Sequence, residues 1–340
     1  MFKQSLLSVT AIACLVVAPI VMADSSTVAD PALSSWINEV LSQNPEMQAA
    51  QAAVDAASGR LRAADQPLFN PELELEYENT DITTTAGGLN QAIDWSDKRG
   101  ARTSVADFER VAASAELKSI RQTLATDLLQ ALADWHAAVA IKQVSEQQTT
   151  LMTRFARLAE RRRKAGDLGQ VELDLAHLAA AEAAFEQADA SQNLILAHRA
   201  VSVLTGSDNS GWPALSTQLP DVDLRQMDVD GMLNGLPLMQ VALAQMSAAR
   251  ASVELSVREK KPDPTFGFRI GKEDSDTLTG LTFSVPLFVR NTFSAEVDVA
   301  NASLIQAERS AANVRRQVRA DVIATAQVYQ STRLAWNAWV

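Results

Sequence analysis

Cysteine is almost absent from these 340 residues, the only one being Cys14. A lone cysteine forms no internal disulfide, and removal of a leader containing it would also leave no thiolate chemistry. Glycine (13) and proline (11) are scarce for the length, aromatic residues make up 5%, and there are three histidines. So few turn residues exclude the loop-rich outline of most enzymes and favour long helices packed through small side chains. The sequence has no phosphate-cradling glycine loop, no Gly-x-Ser-x-Gly elbow and no His-Glu-x-x-His pair, so it offers no motif for nucleotide binding, acyl transfer or zinc hydrolysis. A formal charge of −11 with a pI near 4.9 argues against nucleic acid and anionic membrane surfaces, both of which recruit basic patches. Beyond residue 23 no apolar run reaches the roughly 18 to 20 residues of a spanning helix, which leaves a soluble periplasmic protein or a β-barrel.

The first 23 residues carry Lys3, an apolar stretch from Leu6 to Val21, and Val21-Met22-Ala23 before Asp24, the small-residue pattern that a signal peptidase cuts. Residues 1–23 are therefore expected to be a signal peptide. A competing reading makes Ala11 to Cys14 a lipoprotein box, although Ala rather than Leu stands three residues before Cys14.

What is present is a repeat. Leu41-Ser42-Gln43-Asn44-Pro45-Glu46-Met47-Gln48 matches Leu233-Asn234-Gly235-Leu236-Pro237-Leu238-Met239-Gln240, and each copy opens an alanine-rich helix. About 20 residues later each helix stops before a proline, Pro71 or Pro264, and strict alternation begins. Period two predicts strands. The first repeat, 24–229, is expected to hold strands at about 71–79 and 89–97, with a turn-rich segment between them. A proline-free helix at about 98–164 follows, on the order of 100 Å long at 1.5 Å per residue. Gly166 supplies a stop for a tight tip hairpin at about 165–170, the return helix occupies about 170–204, and a small side domain about 205–229. The second repeat, 230–340, has strands at about 264–271 and 279–288 and then a long helix; with no second return helix in the sequence, it is expected to be incomplete.

Four strands are too few to close a barrel without free edges, so several chains must pool them, and three chains give twelve. Alternation assigns Leu73, Leu75, Tyr77, Ile93, Trp95, Phe266, Phe268, Ile270, Leu281, Phe283 and Val285 to a lipid face. Glu72, Glu74, Glu76, Glu78, Asp94 and Arg269 then line the lumen, an acidic wall that favours cations or neutral solutes. The alternative is a soluble two-hairpin sheet with a solvated acidic face.

With this layout the chain resembles the TolC family of outer-membrane efflux and secretion channels. The resemblance rests on the two-copy order of helix, strand hairpin and long helix, the Asn70-Pro71 lead-in, Ser284-Val285-Pro286-Leu287-Phe288, and Leu204-Thr205-Gly206. Its most specific part is Arg163-Lys164-Ala165-Gly166-Asp167-Leu168-Gly169-Gln170-Val171-Glu172-Leu173, similar to that family's helical-hairpin motif. The resemblance implies a mainly α protomer with four β-strands, a homotrimer with a 12-stranded barrel in outer-membrane lipid, and a periplasmic helical tube. It implies a passive duct that catalyses nothing and binds no cofactor, working with a periplasmic adaptor and an inner-membrane pump of RND or ABC type. It also implies that Gly166, Asp167, Leu168, Gly169 and Glu172 form the gate and the adaptor-docking tip.

The short length and the Asn-Pro lead-in look more like the heavy-metal cation branch than the drug branch. No metal site supports this: His136, His177 and His198 are too widely spaced to pair along a helix. Two rival classes are a periplasmic adaptor, which would carry lipoyl-like β segments, and a helical structural protein of the cell envelope.

Overall fold

The computed structural model describes residues 31–209, 211–215 and 228–339. The expected signal peptide, Cys14 and most of the side domain lie outside them.

Each repeat starts with a capped helix. After α1 (Pro31–Gln43), Asn44 accepts a hydrogen bond from the Glu46 amide and Pro45 takes the first position of α2 (Pro45–Ala64). Proline costs nothing there because its missing N–H would be unpaired anyway. The second repeat begins with the short α5 (Val229–Leu233), capped by Asp228, and Pro237 then takes the first position of α6 (Pro237–Glu259) without a side-chain cap.

Between α2 and α6 comes α3 (Lys98–Lys164), 67 residues without a break, and its antiparallel partner α4 (Gln170–Thr205). The α3 helix packs against α2, α4 and α6, and α7 (Ser294–Trp339) packs against α6. Asn44 at the start of α2 reaches the Leu204 carbonyl at the end of α4 (3.4 Å), so α2 and α4 follow one another along α3.

The seam inside the hairpin is built from alanine. Ala176, Ala183 and Ala190 of α4 are buried at seven-residue spacing, and Ala156 and Ala159 of α3 face the first of them together with Leu168 and Leu173. Small side chains at heptad spacing bring two helices close over a long distance. The larger apolar residues point elsewhere: Leu175, Leu178 and Phe185 are exposed, as are Ile141, Val144, Leu151 and Phe155. A conventional core exists where α1, α3 and α4 meet. Leu128 and Val201 are almost fully buried there with Ala131, and Trp36, Ile37, Val40, Trp135, Leu204 and Trp212 pack around them.

The strands form one antiparallel sheet in the order β1-β2-β3-β4: Glu72–Asn79, Thr83–Ala92, Thr265–Glu273 and Asp276–Ser284. This differs from alternation alone, which places the second strand at 89–97 and the fourth at 279–288. The β2 strand starts six residues earlier because Thr83, Thr84 and Thr85 pair with Asn79, Glu78 and Tyr77, leaving only residues 80–82 for the turn. Gly87 and Gly88, which read as turn residues, lie inside the strand; a β-carbon on Gly88 would sit 3.0 Å from the Phe268 carbonyl oxygen. At the other end β2 stops at Ala92 and β4 at Ser284, before Pro286, so Ile93, Asp94, Trp95 and Val285 lie beyond the sheet.

Candidate functional site

Two places carry the features of interest: the sheet and the tip of the α3–α4 hairpin.

Register sorts the sheet into two chemically different faces. Across it run the rows Leu73–Leu89–Phe268–Leu281 and Leu75–Gly87–Ile270–Thr279, with Tyr77 opposite Thr85 and Phe266 opposite Phe283. The rings of Phe266 and Phe283 lie 5.1 Å apart. This face is bare in the single chain: Leu75 is 77% exposed, Leu281 86%, and Leu73, Tyr77, Phe268 and Phe283 each at least half exposed. A contiguous apolar patch of this kind marks contact with lipid or with another protein.

The opposite face carries Glu72, Glu74, Glu76 and Glu78 with Asn90, Arg269, Thr282 and four glycines. Arg269 makes the one ion pair there among the described residues, to Glu76 at 3.2 Å, and its side chain lies over Gly280. Asn90 donates to Glu74 at 2.9 Å and meets the Thr282 hydroxyl at 3.4 Å. The sequence assignment of Leu73, Leu75, Tyr77, Phe266, Phe268 and Phe283 to one face, and of Glu72, Glu74, Glu76 and Arg269 to the other, thus groups residues that the fold brings together.

Asp94 and Trp95, by contrast, belong to neither face of the sheet. Both follow the last residue of β2, and the Asp94 carboxylate accepts from the Lys98 and Arg99 amides at 2.8 Å, satisfying two of the free N–H groups that begin α3. Trp95 is exposed at this junction rather than within the sheet.

Sequence reading alone missed the junction itself, because the two ion pairs that join the repeats, Lys98 with Asp263 and Arg258 with Asp97, link residues more than 160 positions apart. Lys98 pairs with Asp263 at 2.8 Å, both side chains nearly buried, and also donates to the Lys261 carbonyl. Arg258 grips Asp97, its backbone carbonyl and Glu254, and Arg102 donates to the Ala64 and Gln66 carbonyls at the end of α2. The start of α3 is thereby fastened to both repeats just below the sheet. The hydrogen bond from Arg258 lowers the Asp97 carboxyl pKa from its ordinary value. That ion pair is therefore intact above the ordinary carboxylate range and is lost as pH falls through the lowered value.

At the tip, the Gly166 amide donates to Arg163 and the Asp167 amide to Arg162, the two bonds of a Schellman stop, with Gly166 at φ 83°. Arg163 donates to the Leu168 carbonyl, Leu168 packs on the alanine seam, and the Glu172 carboxylate folds against Gly169, the residue that caps α4. Gly166, Asp167, Leu168, Gly169 and Glu172 therefore form one compact turn. Replacing Gly166 with alanine should cost about 1 to 2 kcal/mol locally, because an L side chain is strained at that φ. Limited trypsin cleavage at Arg161 to Lys164 is then expected to quicken about tenfold; an unchanged rate would show that the turn does not need glycine.

The histidines do not act as a set. Trp135 on α3 and His198 on α4 pack against Trp212 with ring centroids 4.9 and 5.0 Å away, His136 packs against Trp135 at 4.7 Å, and His177 faces Glu160 at 3.5 Å. Among the described residues no three His, Cys, Asp or Glu gather to hold a metal ion, and no helix is long and apolar enough to cross a membrane.

Comparison with known proteins agrees with this layout. Residues 36–207 match the model of the family described as outer membrane efflux protein. The nickel-cobalt-cadmium resistance protein NccC of Alcaligenes xylosoxydans xylosoxydans is 26% identical, over 92% of this chain and 75% of its own length. The cobalt-zinc-cadmium resistance protein CzcC of Cupriavidus metallidurans is 24% identical, over 76% of this chain and 64% of its own length. In fold, the Campylobacter jejuni CmeC outer membrane channel superimposes with a TM-score of 0.73 at 14% identity, covering 91% of this chain and 73% of that one. A two-repeat protomer of long helices, a four-stranded sheet with a bare apolar face, and a family match over half its length make this chain a member of the outer membrane efflux protein family, located in the outer membrane.

Proposed function

We propose that three copies pool their strands into a 12-stranded barrel and conduct divalent heavy-metal cations passively from an inner-membrane pump and its periplasmic adaptor to the outside, without catalysis. The observation that carries this is the sheet: two open edges and a largely exposed apolar face are unstable in water, and are satisfied together when the edges pair into a closed barrel set in lipid. The exposed heptad stripes of the hairpin, Ile141-Val144-Leu151-Phe155 and Leu175-Leu178-Phe185, support the same assembly, since neighbouring copies would cover them.

The cargo rests on the two resistance proteins by name and on the acidic polar face. Among the described residues Glu72, Glu74 and Glu78 have no cationic partner, and in a lumen they would attract cations and repel anions. In this reading Asp167, Leu168 and Glu172 gate the far end of the tube and meet the adaptor. Two measurements test the reading. Deleting the gene should raise cell-associated cobalt and cadmium, with the chain restoring export; unchanged metal content would reassign the cargo. In planar bilayers the channel should be cation-selective, and changing Glu72, Glu74 and Glu78 together to glutamine should move its reversal potential most of the way to zero. A wild-type channel that prefers anions would contradict the acidic lumen.

A further inference from the structure

On the polar face of the sheet the strands carry six acids, Glu72, Glu74, Glu76, Glu78, Glu273 and Asp276, and one base, Arg269. Glu273 and Asp276 face each other at the hairpin turn, at the end of the sheet. The four glutamates occupy every second position of β1, which places neighbouring side chains about 7 Å apart along one face. Free carboxylates at that spacing can converge on one divalent ion, which takes several oxygen ligands and is held more tightly as ligand charge is added. A duct has the opposite need, because a lumen conducts only if each site releases the ion as readily as it admits it.

Arg269 interrupts the row of glutamates at its middle. Its Nη1 pairs with Glu76 at 3.2 Å, although β2 lies between their strands. Glycines leave it the room: in its own row, Glu74–Gly88–Arg269–Gly280, the residues on both adjacent strands are glycine. A β-carbon on Gly280 would stand 3.1 Å from the arginine Nε, and one on Gly88 would stand 3.1 Å from the arginine β-carbon. The next acid, Glu74, accepts from the neutral Asn90 amide at 2.9 Å. Only Glu72 and Glu78 are left without a side-chain partner of this kind among the described residues, and they stand at opposite ends of β1, about 20 Å apart. No two neighbouring glutamates of β1 are therefore free together. The pair is no strong brace, since the side chains of Arg269 and Glu76 are 42% and 37% exposed, and ion pairs so open to water add little stability.

Resting on the duct reading, we propose that Arg269 keeps the acidic lumen from trapping its cargo: by occupying Glu76 it splits the row of carboxylates, so that divalent cations are drawn in without being chelated. The test is current through the purified channel in planar bilayers at about 0.1 M potassium chloride, with cadmium ion added as the probe. Arg269→Gln frees Glu76 beside Glu74, and the cadmium concentration that halves the potassium current should fall about tenfold. Adding Glu76→Gln to that variant removes the freed carboxylate and should return the concentration to the wild-type value. Arg269→Lys, which keeps the cation, should leave it unchanged. Equal block of Arg269→Gln and the wild type, or a double variant as sensitive as the single one, would overturn the inference. Loss of the heat-sensitive oligomer in Arg269→Gln would overturn it too, by making the arginine a structural brace. The duct reading fails differently: the wild-type protein then forms no channel at any cadmium concentration, and the inference falls with it.

Discussion

Replacing Leu75 with arginine is expected to abolish accumulation of the protein in the outer membrane. Leu75 is 77% exposed in the single chain and touches little of it, so on a water-facing sheet the change should be close to neutral. In a lipid-facing strand the same arginine costs about 2 to 4 kcal/mol per chain near the bilayer midplane, and an assembly of three chains bears it three times. Glutamine at Glu74, on the other face of the same strand, is the matched control and should assemble normally. Comparing the two by heat-modifiable gel mobility of outer-membrane fractions separates the faces. If Leu75→Arg assembles as well as the control, the apolar face does not meet lipid.

The second large effect is expected at the junction. Asp263→Ala leaves the Lys98 ammonium nearly buried without its counter-charge, a kind of change that costs about 3 to 5 kcal/mol. Because Lys98 begins α3 and Asp263 precedes β3, the loss should loosen the helices from the sheet, lowering the unfolding midpoint and exposing the junction to protease. Replacing both residues, Lys98→Met with Asp263→Leu, should recover most of the loss, since no charge is then stranded. If Asp263→Ala alone has no effect on unfolding, the pair does not fasten the two repeats.

The broad design was legible from residues. Alternation from Glu72 to Glu78 and from Thr265 to Gly271 disclosed strands, and the absence of proline between Lys98 and Lys164 disclosed the long helix. Strand limits were less legible, because Gly87-Gly88 has the composition of a turn while cross-strand neighbours decide that it is a strand. Asp94 kept the alternating parity of the run before it yet serves the helix after it. The hairpin seam was hidden for another reason: large residues such as Leu175 and Phe185 signal a buried stripe, but alanines occupy the face toward α3 and the large residues stay exposed in the single chain. Nothing local pairs Lys98 with Asp263, so only the fold shows that contact.

The proposed duct requires one face of the sheet to meet lipid and the other to meet water. Cys14 is the only cysteine and lies in the expected leader, so single cysteines at Leu75 and Glu76 would be the sole thiols of a processed chain. The measurement is labelling of each in intact cells, with a charged, water-soluble maleimide and with a bilayer-partitioning one. The barrel predicts that Leu75→Cys reacts only with the lipophilic reagent and Glu76→Cys only with the charged one. Rapid reaction of both with the charged reagent would mean a sheet bathed in water on both sides, and the duct would have to be abandoned.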